Sequence, residues 1–462
     1  MSQTPSITYG PPDHTYLHLD TPSRPMHWAM LLEVDPEPAG PLDLEAVRHR
    51  VAERASRYDL FRTGIEGGRW TRPRMIQLAE ISPERQVSAA EFTGESGLRG
   101  TVGTLMAEHL RRGLPFWHIT LLSPADPTDP NPDPGHNQDP APARQYLLLR
   151  VHHSLSDGIA GAAFSALLAD GDDEELAEFD RFATSPRFSI SGIDPADLKT
   201  AKTAFEEAWA AGQPGRHWPT LTGQGRREVA WHSVSTRDLR RAAKRASATP
   251  HEFVLAAVGA AASTVPPTGE TSENIRVTLP VTLDKEFRHT GNAVAVSLLN
   301  LSGAQGSVAG QLPRIREQLA RIEDDSMALN LAAADDAPRA PWPIFRLLSG
   351  ASMKKMSPDI HVGINPGFTR VRTVLGAPML GLTALSPLVG YSFSVTVLIL
   401  GTRTSFGIVY DSEALPGYGA TFVEAFNEFL QADAEPEDTA TASPATAATD
   451  SRHTASTANL TH

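Results

Sequence analysis

The segment Gln145-Tyr146-Leu147-Leu148-Leu149-Arg150-Val151-His152-His153-Ser154-Leu155-Ser156-Asp157-Gly158 decides how the chain is read. Gln145 to Val151 form an apolar run of strand length, the pattern of a buried strand. That strand delivers two histidines to its carboxyl end, a short turn follows, and a helix is predicted to begin near Gly158. Ligand sites in α/β sheets gather at such strand ends. Imidazole there can take a proton near neutral pH, which an alcohol needs if it is to attack an activated acyl group. Asp157 could close the turn through an arginine or backbone amides, or serve only as a helix N-cap. Gly158 leaves room for the chain to turn close to a substrate.

Outward from this point, strands and helices alternate. Upstream, a strand is predicted at Met26 to Val34 and a helix at Leu44 to Arg57, with Asp43 as its cap. A second helix should pass through Val102, Leu105, Met106 and Leu110, leading to Pro115-Phe116-Trp117 and a strand from His118 to Leu122. Ser123 to Ala143 is crowded with Pro, Asp and Gly and reads as a mobile surface insertion. Downstream, Gly171 to Gly225 shows a weak pattern, as expected of a crossover. Strands follow at Arg227 to Ser235, Asn274 to Leu283, Val294 to Leu301, Asp359 to Ile364, Phe393 to Leu400 and Ser405 to Tyr410. Thr249-Pro250-His251-Glu252 is a capping box with proline at the first helical position. A last helix spans Tyr418 to Leu430. The expectation is an α/β protein with two domains of similar size, 1–180 and 226–433, a linker at 181–225 and a disordered tail at 434–462.

With 462 residues, a net charge of -13 and 21% charged residues, the chain has the balance of an ordinary globular protein. The acidic sign argues against a nucleic-acid partner, which would call for a basic footprint. The absence of cysteine excludes a disulfide framework, a thiolate nucleophile and a Cys-based zinc site. Met1-Ser2-Gln3-Thr4-Pro5 lacks the features of a signal peptide, and no apolar stretch reaches bilayer length. Cytoplasmic residence is therefore expected, with peripheral membrane or lipid-droplet contact left open.

Other signals are weaker. Arg237, Arg241 and Lys244 lie on a basic helix after Thr236 and could bind phosphate groups, though a solvated face is the favoured reading. His251-Glu252 begins like a zinc motif, but Leu255 stands where the second histidine belongs. His152, His153 and Asp157 make a poor zinc set, because adjacent strand residues point to opposite faces. No metal is expected.

The His152-His153-x-x-x-Asp157-Gly158 run resembles the motif of the CoA-dependent acyltransferase superfamily, and more specifically the bacterial wax ester synthase/diacylglycerol acyltransferase family. Further matches fall in the family's order over about residues 8 to 430: Pro12-Asp13, Pro25-Met26-His27, Pro115-Phe116-Trp117, Gly291-Asn292 after Leu279-Pro280-Val281, and Asn365-Pro366-Gly367. The resemblance implies two chloramphenicol-acetyltransferase-like domains, with mixed sheets flanked by helices, around an active-site tunnel. It makes His153 the general base, supported by His152, with Asp157 and Gly158 shaping the site. Pro115, Trp117, Asn292 and Asn365 would line the substrate path. Acyl-CoA, whose phosphates Arg237, Arg241 and Lys244 could bind, would be a substrate, with no further cofactor, and the acceptor a long-chain alcohol or diacylglycerol.

Three departures bear on this. His251-Glu252 occupies the place of the family's Asn-Asp pair, Asn365-Pro366-Gly367-Phe368 departs from Asn-Val-Pro-Gly-Pro, and the insertion before the catalytic strand is long. They point to an altered acceptor, such as a specialised-metabolite hydroxyl or amine. A non-catalytic lipid- or partner-binding scaffold is the third reading.

Overall fold

The computed structural model describes residues 6–7, 11–37, 39–67, 71, 73–126, 144–187, 193–330, 341–344, 347–348, 351, 356–366 and 372–431. Most of the expected insertion and the whole expected tail lie outside the described residues.

The strands run in chain order as β1 (Ser6–Ile7), β2 (His27–Val34), β3 (Thr63–Glu66), β4 (Arg74–Gln77), β5 (Val87–Phe92), β6 (Trp117–Pro124), β7 (Gln145–His152) and β8 (Arg227–Ser235). They continue as β9 (Asn274–Thr282), β10 (Val294–Ser302), β11 (Ile360–Pro366), β12 (Thr373–Val374), β13 (Ala377–Leu385), β14 (Phe393–Leu400) and β15 (Arg403–Asp411). The helices are α1 (Pro11–Leu19), α2 (Leu44–Arg54), α3 (Pro83–Gln86), α4 (Gly94–Ala107), α5 (Asp173–Leu176), α6 (Asp180–Ala183), α7 (Pro195–Ala211), α8 (Thr236–Arg245), α9 (Pro250–Thr264), α10 (Val308–Asp324) and α11 (Tyr418–Gln431).

Two six-stranded mixed sheets dominate, ordered β12-β13-β2-β7-β6-β5 and β10-β9-β11-β14-β15-β8. In the first, β7 is antiparallel to both β2 and β6, while β5 runs parallel to β6. Every residue of β7 is buried, which is why its sequence is almost uniformly apolar. In the second sheet, β11 is parallel to both β14 and β9. α9 lies in the core of this half, started by Thr249, whose hydroxyl accepts from Glu252 N while Glu252 accepts from Thr249 N, the predicted capping box.

Two elements bear on the expected domain division. β13 belongs to the C-terminal part of the chain, yet it pairs with β2 in the first sheet. The expected linker also contains α7, whose buried face is built from Ala201 and Ala204. Alanines give little hydrophobic contrast, so the helical period there is faint. The segment after Gly158 is helical as expected, but as a 3-10 turn, Ala160–Leu167.

β13 also ties the sheets together. Ser405 of β15 donates to Leu382 O, and a Cβ on Gly407 would stand 2.0 Å from Ala384 O. Only glycine permits that approach. α4 packs on β8, and a shared apolar cluster joins Leu98, Val102 and Met106 to Val229, Leu385 and Val409. The two sheets thus share a core at their junction, to which β7 contributes Tyr146 and Leu148.

Candidate active site

β7 alternates its side chains, so its last residue and its successor diverge. His152 N donates to Phe116 O and His153 N to Met26 O, each 2.8–2.9 Å, which anchors both residues to flanking chain. The His152 ring stacks on Phe116 at 4.3 Å, and its Nδ1 accepts from Ser154 N at 3.2 Å. Burial pushes its pKa down to about 3, so it is a neutral supporting ring.

His153 retains partial exposure at the junction of the two halves. Tyr16 of α1 stacks on it, with centroids 3.6 Å apart and planes within 11°. Its Nδ1 lies 2.9 Å from Asn292 Oδ1. The Asn292 amide can face only one way, because its Nδ2 donates to Asp13 Oδ1 and to His153 O, both at 2.7 Å. Asn292 therefore presents an acceptor, His153 Nδ1 carries the hydrogen, and Nε2 is left with its lone pair. Burial lowers the pKa of His153 to about 4, against an opposing pull from Asp157. The ring is neutral at physiological pH and can receive a proton at Nε2.

Asp157 does not meet an arginine. Its Oδ1 accepts from Ile159 N at 3.0 Å and Ala160 N at 2.8 Å, so it caps the turn as expected. Its Oδ2 accepts from Ala293 N and from His289 Nε2, both at 2.9 Å. Burial works against the carboxylate, but these bonds outweigh it and lower its pKa. Asp157 N donates to Gly291 O, so turn and loop are bonded in both directions. A Cβ on Gly158 would stand 3.4 Å from the Asn365 amide, which places β11 against the turn.

The other expected site residues separate into two groups. Asn292 and Asn365 are at the site. Trp117 is 1% exposed, inside the first core, with Nε1 donating to Phe61 O. The carbonyls of Pro115 and Trp117 are held by Gln86, and the residue between them, Phe116, is the one that reaches a catalytic-turn histidine. Arg237, Arg241 and Lys244 are exposed on α8, which packs on α9, α11, β8 and β15. Those elements supply none of the partners of His153. Among the described residues, no group of three or more His, Asp or Glu is placed to hold a metal ion.

Tyr16, His289, Asp284 and His361 were not singled out by sequence reasoning. His361 shares a β11 face with Asn365, bonds Thr278 through Nδ1 and stacks on Tyr391. Asp13 and Asn292 did lie in matched segments, but nothing local marks them as partners.

No family model matches the chain. Over 359 residues it is 24% identical to a Mycobacterium tuberculosis protein named a probable diacylglycerol O-acyltransferase, covering 70% of this chain and 73% of that one. A Mycobacterium bovis protein named for the same activity matches to the same extent. The wax ester synthase/diacylglycerol acyltransferase of Marinobacter aquaeolei superposes with a TM-score of 0.63 at 17% identity, covering 92% of this chain and 98% of that one. The trichothecene 15-O-acetyltransferase of Fusarium sporotrichioides gives 0.64 at 11% identity, covering 92% and 94%. The first condensation domain of the calcium-dependent antibiotic synthetase gives 0.57 at 15%, covering 93% and 96%. These structures share the two-sheet fold with this chain.

Proposed function

We propose that the chain is a member of the wax ester synthase/diacylglycerol acyltransferase family and moves a fatty acyl group from acyl-CoA to an alcohol, giving triacylglycerol or wax ester; its similarity to proteins named for that activity supports the reading. The observation that carries the chemistry is the Asn292 amide, which sets the tautomer of His153 and leaves Nε2 as the base. The acceptor hydroxyl attacks the thioester carbon while its proton passes to Nε2. The tetrahedral intermediate then expels the CoA thiolate, which takes that proton back. The carboxylate of Asp157 supports the imidazolium in between. Acyl-CoA and the acceptor would meet at the junction of the two halves, where α1 and β11 approach the catalytic turn. Among the described residues, no helix is long and apolar enough to cross a membrane; contact with a lipid surface would be peripheral.

CoA release from palmitoyl-CoA, with hexadecanol and then with diacylglycerol, tests the proposal in wild type and His153→Ala together. Acceptor-dependent release that vanishes in the variant supports it. Release that survives the substitution removes His153 from the mechanism. Silence with both acceptors, alongside turnover of a smaller polyol or amine, would transfer the chemistry to a specialised-metabolite acceptor, as the Asn365-Pro366-Gly367-Phe368 departure suggests.

A further inference from the structure

We propose that His289 is a positioning residue whose doubly protonated, cationic ring clamps the β9–β10 loop onto the catalytic turn, so that acyl transfer is switched off when that proton leaves. This inference rests on the acyl-transfer reading for its output, though not for the state of the ring.

The argument begins with donor counting. His289 Nε2 lies 2.9 Å from Asp157 Oδ2, and its Nδ1 lies 2.9 Å from Asp284 Oδ2. A carboxylate only accepts, so each ring nitrogen must carry a hydrogen, and a ring with two is an imidazolium. Both carboxylates are ionised by their other bonds. Asp157 accepts three backbone amides, and Asp284 accepts from Glu286 N at 3.0 Å and Arg288 N at 2.6 Å. The histidine is 2% exposed, so these charges meet largely out of water. Burial opposes the cation, but the two carboxylates outweigh it and raise the pKa of His289 above its ordinary 6.5.

The clamp matters because of what else its loop carries. Within five residues, His289 bonds Asp157, Gly291 O accepts from Asp157 N, Asn292 orients His153, and Ala293 N bonds Asp157. A neutral ring can donate only once. Its other nitrogen would then present a lone pair to a carboxylate at 2.9 Å, in a site with little water to screen it. Displacing the loop displaces Asn292, and with it the tautomer of His153.

The neighbouring charges do not supply a substitute cation. The Asp13–Arg187 pair lies beside Gly291 and is self-neutralising. From α6, beneath Thr290, Asp180 is engaged by Arg57 and Tyr58. The loop itself adds Lys285, Glu286 and Arg288. On the far side of Asn292 stands His153, which is neutral.

Because the folded-state pKa of His289 is raised, its stabilisation is complete below about 6.5 and is lost as pH rises through the folded value. The test follows kcat, the KM for palmitoyl-CoA, and Tm from neutral to alkaline pH in wild type, His289→Arg and His289→Gln. Wild type should lose kcat and Tm as pH rises, while KM holds. His289→Arg, charged throughout and able to donate to both carboxylates, should keep its activity beyond the wild-type limit. His289→Gln should lose about a hundredfold in kcat at neutral pH and show no alkaline fall. An alkaline limb unchanged in both variants overturns the proposal. Should His289→Arg fail to fold, the 15N ring signals of His289, assigned by their loss in His289→Gln, decide the matter. Two protonated nitrogens at neutral pH sustain the clamp, and one refutes it. That spectrum needs no turnover, so failure of the acyl-transfer reading would show separately as absent CoA release with any alcohol.

Discussion

The catalytic turn, 152–158, and the loop between β9 and β10, 283–293, build one site by opposite means. The turn inherits its geometry from β7, whose backbone is locked between β2 and β6. The loop has no such ladder at its tip and is held by side-chain bonds to the turn and to Asp13. One region is held by strand pairing within its own sheet; the other depends on bonds between the two halves. In the proposed mechanism the turn supplies the reacting ring, and the loop decides which of its nitrogens can react.

The largest effect should come from the turn. His153→Ala is expected to reduce kcat for CoA release by about 10²- to 10⁴-fold while leaving acyl-CoA binding measurable by equilibrium titration. A smaller loss would mean that the turn contributes positioning alone. Next comes the loop: Asn292→Ala should lower kcat by about a hundredfold with little change in KM, since it frees the tautomer but removes no reacting group. If KM rises and kcat holds, Asn292 contacts substrate and the contrast between the regions fails.

The acid side of the pH profile separates them again. His153, lowered by burial to about 4, should be active above that value and lose activity as pH falls through it. An acid limb near 6.5 in kcat/KM would show that the ring is more solvated than its surroundings suggest. The alkaline limb, by contrast, belongs to His289 in the loop. The smallest effect is reserved for α8. Replacing Arg237, Arg241 and Lys244 together by alanine should leave the KM for acyl-CoA within about twofold, because these charges are solvated on the exposed face of α8. A tenfold rise would restore them as a phosphate contact.

Much of the fold was legible along the chain. The buried runs of β7, β9 and β14, the capping box of α9 and the aromatic face of α11 each express their structure within a few residues. β13 was missed because its pairing partner, β2, is far away in sequence and its own residues, Ala377 to Leu385, alternate only weakly. α7 was missed because alanine fills its buried face. The histidine pair and Asp157 were visible as a motif, whereas their orienting partners were not.

The sequence alone determined where a buried strand ends in two histidines, that a capped turn follows, and that the chain carries no thiol chemistry. Those are properties of neighbouring residues, set by hydrophobic period, backbone preference and composition. The tertiary structure alone decided which nitrogen of His153 faces an acceptor and which distant histidine sits between two carboxylates. Proton positions depend on the donors and acceptors within about 3 Å of a ring. For His153 and Asp157 the decisive ones, Asn292 and His289, arrive from 139 and 132 residues away.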